Sequence, residues 1–312
     1  MIPNNALCHL MLDQQAAWCL VVNGQLYALD HFTSLADWLQ AAAGRPSAAI
    51  TDLLDGTESY RLIGPAAQLN DPDAGIRYLA PIDAQEVWAF GVTYEMSREA
   101  RMRESNAPTI YGQVYSAERP EIFFKATGPR VVASGDAVAI RADSTWNVPE
   151  AELTLLLTPA LEIIGYTIGN DMSSRDIEGQ NPLYLPQAKV YTRSCALGPF
   201  IVLAEASFNP VDIQVDCRIL RAGGEAFAGS TYTSRIHRRL SELADWLGRC
   251  NEYPQGVFAM TGTGIVPPDI FTLAEGDIIE IRMAGLGALV NPVISITPQQ
   301  GVKHGISDAE GT

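Results

Sequence analysis

The chain has 312 residues, 47% hydrophobic and 18% charged, enough for a sizeable core in one large domain or two unequal ones. Its 36 Asp and Glu against 21 Lys and Arg leave a net charge of −15, which argues against a nucleic-acid surface, because phosphate binding needs clustered cations. The five cysteines, Cys8, Cys19, Cys195, Cys217 and Cys250, form no CxxC pair, so neither a thiolate zinc site nor a redox motif is indicated.

The first ten residues, MIPNNALCHL, have no basic start followed by an apolar run, and no stretch reaches the roughly 18 apolar residues of a membrane span. A cytoplasmic protein with no membrane partner is therefore expected. Residues 1–80 read as a small α+β domain. Alternation in AWCLVVNGQLYALD predicts a hairpin turning at Asn23-Gly24, a pair suited to a type I′ turn. A short helix follows: Ser34 with Asp37 resembles a capping box, Leu35, Trp38, Leu39 and Ala42 form the apolar stripe, and Gly44 stops it. The stretch LNDPDAGIRYLAP then leads to a second domain, residues 81–312.

From about Ile82, short β-type runs are punctuated by Gly and Pro. Two segments have helical spacing: EMSREARMRES (95–105), and a run from about Ser234 to Gly248 carrying Ile236, Leu240, Leu243 and Leu247. The strand candidates are VVASGDAVAI, ELTLLLT, ALEIIGYTIGND, GPFIVL, DIQVDCRIL and DIIEIRM. Strands outnumber crossover helices, which favours a β-rich α+β fold with an antiparallel or mixed sheet over a parallel doubly wound one. The last ten residues, polar and Gly-rich, are the expected exception to an ordered chain.

The segment from Asn147 to Asp171 carries the strongest chemical signal. In a strand, Glu150 and Glu152 project to one side, while Ala151, Leu153 and Leu155 project to the other. Two carboxylates that close repel unless a cation sits between them. Asp171 ends another β run, and pairing of the two strands brings all three carboxylates together. Hard oxygen ligands of this kind suit Mg²⁺ or Mn²⁺, with Ca²⁺ as a further candidate. An E-x-E pair on the solvent face of an edge strand is nonetheless the commoner arrangement, and the pair alone does not decide. The following stretch, residues 170–200, reads as one long irregular loop, a place where ligands are often held. Its Lys189, taken singly, reads as a surface lysine.

With these residues in view, the chain resembles the fumarylacetoacetate hydrolase superfamily over roughly residues 82–300. The matching pieces are GVTY (91–94), EIFFKATG (121–128), the E-x-E at 150–152, GYTIGNDMSSRD (165–176), LPQAKVY (185–191), LGPFIV (197–202) and TGTGIVPP (261–268). The resemblance implies a mixed β-sheet roll of the fumarylacetoacetate hydrolase C-terminal-domain type with a small N-terminal domain, assembled as a homodimer or higher homo-oligomer. It implies Glu150, Glu152 and Asp171 as metal ligands, Lys189 beside the substrate oxygens, and Thr263 at the substrate carboxylate. Thr93 and Tyr94 of the GVTY piece, with Lys125, join the implied substrate site. The implied substrate is a small 2-oxo acid.

Hydrolytic members of the superfamily carry a His shortly after the GxxY-type motif and a Glu three residues later. Here Tyr94 is followed by Glu95, Met96 and Ser97, with Ala100 three beyond, so both are missing. His9, His31, His237 and His304 lie outside the matched pieces and read as structural or surface residues. A narrower similarity, in RPEIFFKATG, YLPQAKVY and SCALGP, is to dehydratases of 2-keto-3-deoxy sugar acids. It implies a Mg²⁺-dependent lyase acting on a 2-keto-3-deoxy-pentonate of the arabinonate or xylonate type and giving a 2,5-dioxopentanoate-type semialdehyde. Glu121 is then the candidate acid/base, if burial and neighbouring carboxylates raise its pKa; an exposed strand residue is the equal alternative. Hydrolysis of an acylpyruvate or 2,4-diketo acid, and a catalytically silent metal- or ligand-binding module, remain alternatives. The helix at 95–105 is either a lid whose Arg98, Arg101 and Arg103 meet a substrate carboxylate, or a solvated helix paired internally by Glu99 and Glu104.

Overall fold

Every residue of the strand Ala151–Leu157 is buried, although its first polar position is a glutamate. Leu153, Leu155 and Leu157 point to one side and Glu152, Thr154 and Leu156 to the other, so both faces of this strand must be covered. The computed structural model, which describes residues 1–104, 106 and 108–297, covers them with two layers. On the leucine side lies a five-stranded sheet in the order Gly224–Tyr232, Gln214–Arg221, Ile278–Met283, Gly287–Ile296, Val138–Arg141. Its alternating inward residues Val215, Cys217, Ile219, Ile279 and Ile281 share one core with Leu153, Leu155 and Leu157. On the other side the helices Leu35–Ala42 and Pro46–Asp55 bring Leu35, Leu39, Ile50 and Leu53 against Leu156, Ile164 and Phe258.

The Ala151–Leu157 strand is not an edge. It pairs antiparallel with Ile163–Asp171 on one side and Val257–Met260 on the other, within a mixed 13-stranded sheet. The solvent-face reading of the E-x-E pair is thereby excluded. Val257–Met260 runs parallel to Glu86–Gly91, which in turn pairs antiparallel with Glu121–Thr127. This is the α+β, β-rich architecture expected. The Asn23-Gly24 hairpin forms with both residues at positive φ, and Ser34 Oγ accepts the Asp37 N–H as a helix cap. The strands of the first 80 residues extend the large sheet itself, because Ala6–Leu12 pairs with Phe200–Leu203.

Several expectations are corrected. The Ser234–Gly248 helix begins only at Leu240 and ends at Leu247. Ile236 instead bridges to Tyr94, and the His237 N–H reaches Thr93 O, so tertiary pairing takes the first residues out of the helix. VVASGDAVAI is two strands, Val131–Val132 and Val138–Arg141, split around a turn at Gly135 and belonging to different sheets. The long loop after Asp171 contains two short helices, Arg175–Gln180 and Leu185–Lys189. Helices at Pro46–Asp55 and Pro108–Ser116 were not anticipated. The last ten residues and His304 lie outside the described residues.

Candidate active site and metal centre

The register of two strands assembles the carboxylates. Glu152 lies opposite Gly169, and the backbones of Glu150 and Asp171 exchange N–H···O bonds of 3.2 and 3.0 Å. One oxygen from each of Glu150, Glu152 and Asp171 lies within 4.8 Å of the others, and all three residues are buried. Glu152 Oε2 accepts the Gly262 N–H at 2.6 Å. Burial, then the charges of Asp171 and Glu150, push the Glu152 carboxyl well above its ordinary range. A divalent cation relieves that repulsion, and the all-oxygen donor set is the one hard cations take. On this chemistry the three residues fit a magnesium ion.

Lys189 ends the short helix Leu185–Lys189 and points into this cluster. Its Nζ donates to Glu150 Oε2 at 3.0 Å, Asp171 Oδ2 at 2.9 Å and Ser173 Oγ at 2.6 Å, and stands 5.5 Å over the Phe123 ring. Burial favours its neutral form, but Asp171 and Glu150 outweigh burial and hold it cationic. Glu150 shows the converse. Burial works against its charge, yet Lys189, Arg101 and Arg175 keep it well below the usual carboxylate range.

Glu150, Asp171 and Lys189 form one wall of a cavity that Glu121, Thr263, Ser97, Arg101 and Glu178 complete. Glu121 opens the strand Glu121–Thr127 opposite Gly91. A Cβ on Gly91 would stand 1.9 Å from Glu121 Oε2, so the glycine makes room for the carboxyl group. Burial, with the negative charge of Glu178, raises the Glu121 carboxyl to about 7, against the pull of Arg101 and Lys189. A carboxyl poised there can both accept and return a proton near neutral pH. The exposed-strand alternative for Glu121 does not hold.

Three of the expected site residues stand elsewhere. Lys125 is fully buried behind Asp171, with its Nζ 2.5 Å from Asp171 Oδ1, 3.0 Å from Met172 O and 2.5 Å from Lys189 O. With its ammonium donors so occupied, it fixes the metal cluster from behind rather than facing the cavity. Thr93 donates its hydroxyl to Thr261 O at 2.6 Å, and Tyr94 is buried, its phenol pushed up by burial and by Glu152. Both brace the glycine-flanked turn from outside the cavity. Thr263 does line it, with its Oγ accepting the Ile265 N–H at 3.2 Å.

The sequence reading missed a buried ionic network. Arg101 contacts Glu150 at 2.7 Å, Glu178 at 3.1 Å and Glu104 at 3.5 Å, and Arg175 reaches Glu104 at 2.5 Å and Glu150 at 3.1 Å. These are not solvated pairs: every side chain involved is at most 7% exposed. Arg103 and Arg98, by contrast, pair near the surface with Asp269 and Glu95. The available signal was spacing, since Arg101 with Glu104 and Arg175 with Glu178 sit three residues apart on helices. His9 stacks on Trp18 and His237 on Tyr115; among the described residues no histidine lines the cavity.

Residues 87–294 match the model of the fumarylacetoacetate hydrolase C-terminal family. The probable 2-keto-3-deoxyxylonate dehydratase of Haloferax volcanii is 48% identical over 216 residues, covering 69% of this chain and 74% of that protein. The 2-dehydro-3-deoxy-D-arabinonate dehydratase of Saccharolobus solfataricus is 44% identical over 238 residues, 75% of this chain and 78% of its own. Among solved structures, a 2-keto-3-deoxy-D-arabinonate dehydratase complexed with magnesium and 2,5-dioxopentanoate superposes with a TM-score of 0.77 at 34% identity, covering 94% of this chain and 100% of that one. With its strand-borne carboxylates, its buried lysine and this match over two thirds of its length, the chain belongs to the fumarylacetoacetate hydrolase C-terminal family.

Proposed function

We propose that this protein is a magnesium-dependent dehydratase of a 2-keto-3-deoxy-pentonate of the arabinonate or xylonate type, releasing water and forming 2,5-dioxopentanoate. The observation that carries the reading is the lining of one cavity: Glu150 and Asp171 of the metal-type carboxylate cluster, a cationic lysine and a carboxyl group raised to about 7, with no histidine among the described lining residues. The similarity to two dehydratases at 44% and 48% identity supports the same substrate class.

Glu150, Glu152 and Asp171 hold the ion, which when bound supplies Lewis acidity toward a 2-oxo carboxylate. Lys189 presents a fixed positive charge to the substrate oxygens, and Thr263 borders the carboxylate end. Glu121 takes a proton from C3 and returns it to the hydroxyl that leaves C4, so no water nucleophile has to be activated. The buried walls exclude bulk water from that transfer. Five free cysteines, four of them buried, fit a reducing cytoplasm. No described helix is long and apolar enough to cross a membrane.

The deciding assay incubates the protein and Mg²⁺ with 2-keto-3-deoxy-pentonates and, separately, with acylpyruvates. Semialdehyde from the sugar acids is expected, lost on chelation by EDTA and in Glu152→Gln. Pyruvate from acylpyruvates with the sugar acids untouched would overturn the reading in favour of hydrolysis.

A further inference from the structure

Glu121 accounts for one proton at C3, but the proposed reaction moves more. Loss of the C3 proton and the C4 hydroxyl leaves an enone, with C3 joined to C4 by a double bond and a hydroxymethyl group at C5. Reaching 2,5-dioxopentanoate requires that C5 lose one C–H and its O–H proton while C3 and C4 each gain one proton. This is an isomerisation, and it needs no oxidant or reductant. It does need a second group able to carry a proton at the C4–C5 end.

One wall of the cavity provides such a group. Glu178, on the helix Arg175–Gln180, is 3% exposed and borders the cavity with Glu121 and Lys189. Its Oε1 is held by Arg101 Nε at 3.1 Å, while its Oε2 is buried without a hydrogen-bond partner. Such an oxygen in a closed site is costly unless a ligand hydroxyl or C–H meets it. Lys189 is paired with Glu150 and Asp171, and Glu152 accepts the Gly262 N–H, which leaves the free oxygen of Glu178, across Arg101 from Glu150, for another part of the substrate.

Resting on the functional reading above, we infer that Glu178 is a second acid/base, receiving the proton from C5 and delivering it to the adjacent carbon as the enone becomes the aldehyde. The electron pair of the C5–H bond becomes the C4–C5 double bond, and the C3–C4 pair is drawn toward the 2-oxo group. The proton released by the C5 hydroxyl supplies the other carbon, and the oxygen keeps its electrons as the carbonyl. Arg101 holds one Glu178 oxygen and leaves the other without a hydrogen bond, free to take the proton. The negative charge of Glu178 also acts on Glu121, which places the two carboxyl groups in one electrostatic unit.

The test compares wild type and Glu178→Gln, each loaded with Mg²⁺, on a 2-keto-3-deoxy-pentonate. It follows enone by its ultraviolet absorbance and aldehyde by a dehydrogenase-coupled assay. The variant is expected to form enone within a few-fold of the wild-type rate while aldehyde formation falls on the order of 100-fold. Aldehyde formation at the wild-type rate would overturn the assignment, as would equal loss of both steps in a folded, Mg²⁺-binding variant. Should Glu178→Gln not fold, Glu178→Asp decides on the same criterion, because it keeps the charge and retracts the oxygen. Wild-type protein that leaves the sugar acid untouched would overturn the functional reading itself, and this inference with it.

Discussion

At the scale of single residues, the site is a set of charges whose burial decides their work. Glu121 releases its proton near pH 7 in the folded protein and near 4.5 when unfolded. As a base it must be ionised, so kcat/KM is expected to rise with pH through about 7; in Glu121→Gln that limb should vanish and activity fall at least 100-fold, on the order expected for a lost acid/base. The same shift has a stability sign. Between pH 4.5 and 7 the folded state binds more protons than the unfolded one, so Glu121 lowers stability as pH rises through that window. Glu121→Gln is therefore expected to melt higher than wild type at pH 8, by on the order of 2 kcal/mol, and to match it near pH 4. Lys125 is the opposite case. Lys125→Met removes the buried cation at Asp171 Oδ1 and leaves only Lys189 on the other oxygen, and is expected to cost about 3 kcal/mol in thermal or urea unfolding. The carboxylates were legible in the sequence because period-two alternation is local. Arg101, Arg175 and Glu178 were not, because their partners are brought together from two helices and the start of a strand.

At the scale of elements, strand pairing sets where the acid/base sits. Gly91 faces Glu121 across the ladder, and any side chain there takes the space of the carboxyl group. Gly91→Ala is expected to swing Glu121 aside and lower kcat/KM roughly 10–100-fold. Its unfolding free energy should change by less than about 1 kcal/mol, since the obstacle is the tip of a flexible side chain. Parallel kinetics and melting on one preparation check both halves; a proportionate loss of stability would show instead that the ladder itself is disturbed. Of the strands near the site, Glu86–Gly91, Glu121–Thr127 and Val257–Met260 were not among the expected strands, whereas Ala151–Leu157 and Ile163–Asp171 were legible as short apolar runs. The helices Arg175–Gln180 and Leu185–Lys189 were not, being too brief for helical periodicity and interrupted by Gly179 and Pro186. The helix Glu95–Glu104 was placed correctly, but its inward face carries Ser97, Ala100 and Arg101 rather than large apolar side chains. Its burial follows from ion pairs, which hydrophobic spacing does not report.

At the scale of the whole molecule, the two-layer arrangement explains why the carboxylate cluster is buried: helices cover one face of the central strand and the five-stranded sheet the other. The β-rich class was legible from the ratio of strands to crossovers, whereas the order of strands in the sheet was not, since no local pattern encodes which runs become neighbours. The strand Ala6–Leu12 shows this most sharply. Leu7 pairs with Ile201, so this strand is synthesised well before its partner about 200 residues downstream. At roughly 5–20 residues per second, the nascent chain spends on the order of 10–40 s with that edge unsatisfied, open to chaperones or to a neighbouring polysome's product. Synthesis rate, as much as sequence, therefore bears on how much of this enzyme reaches its native sheet.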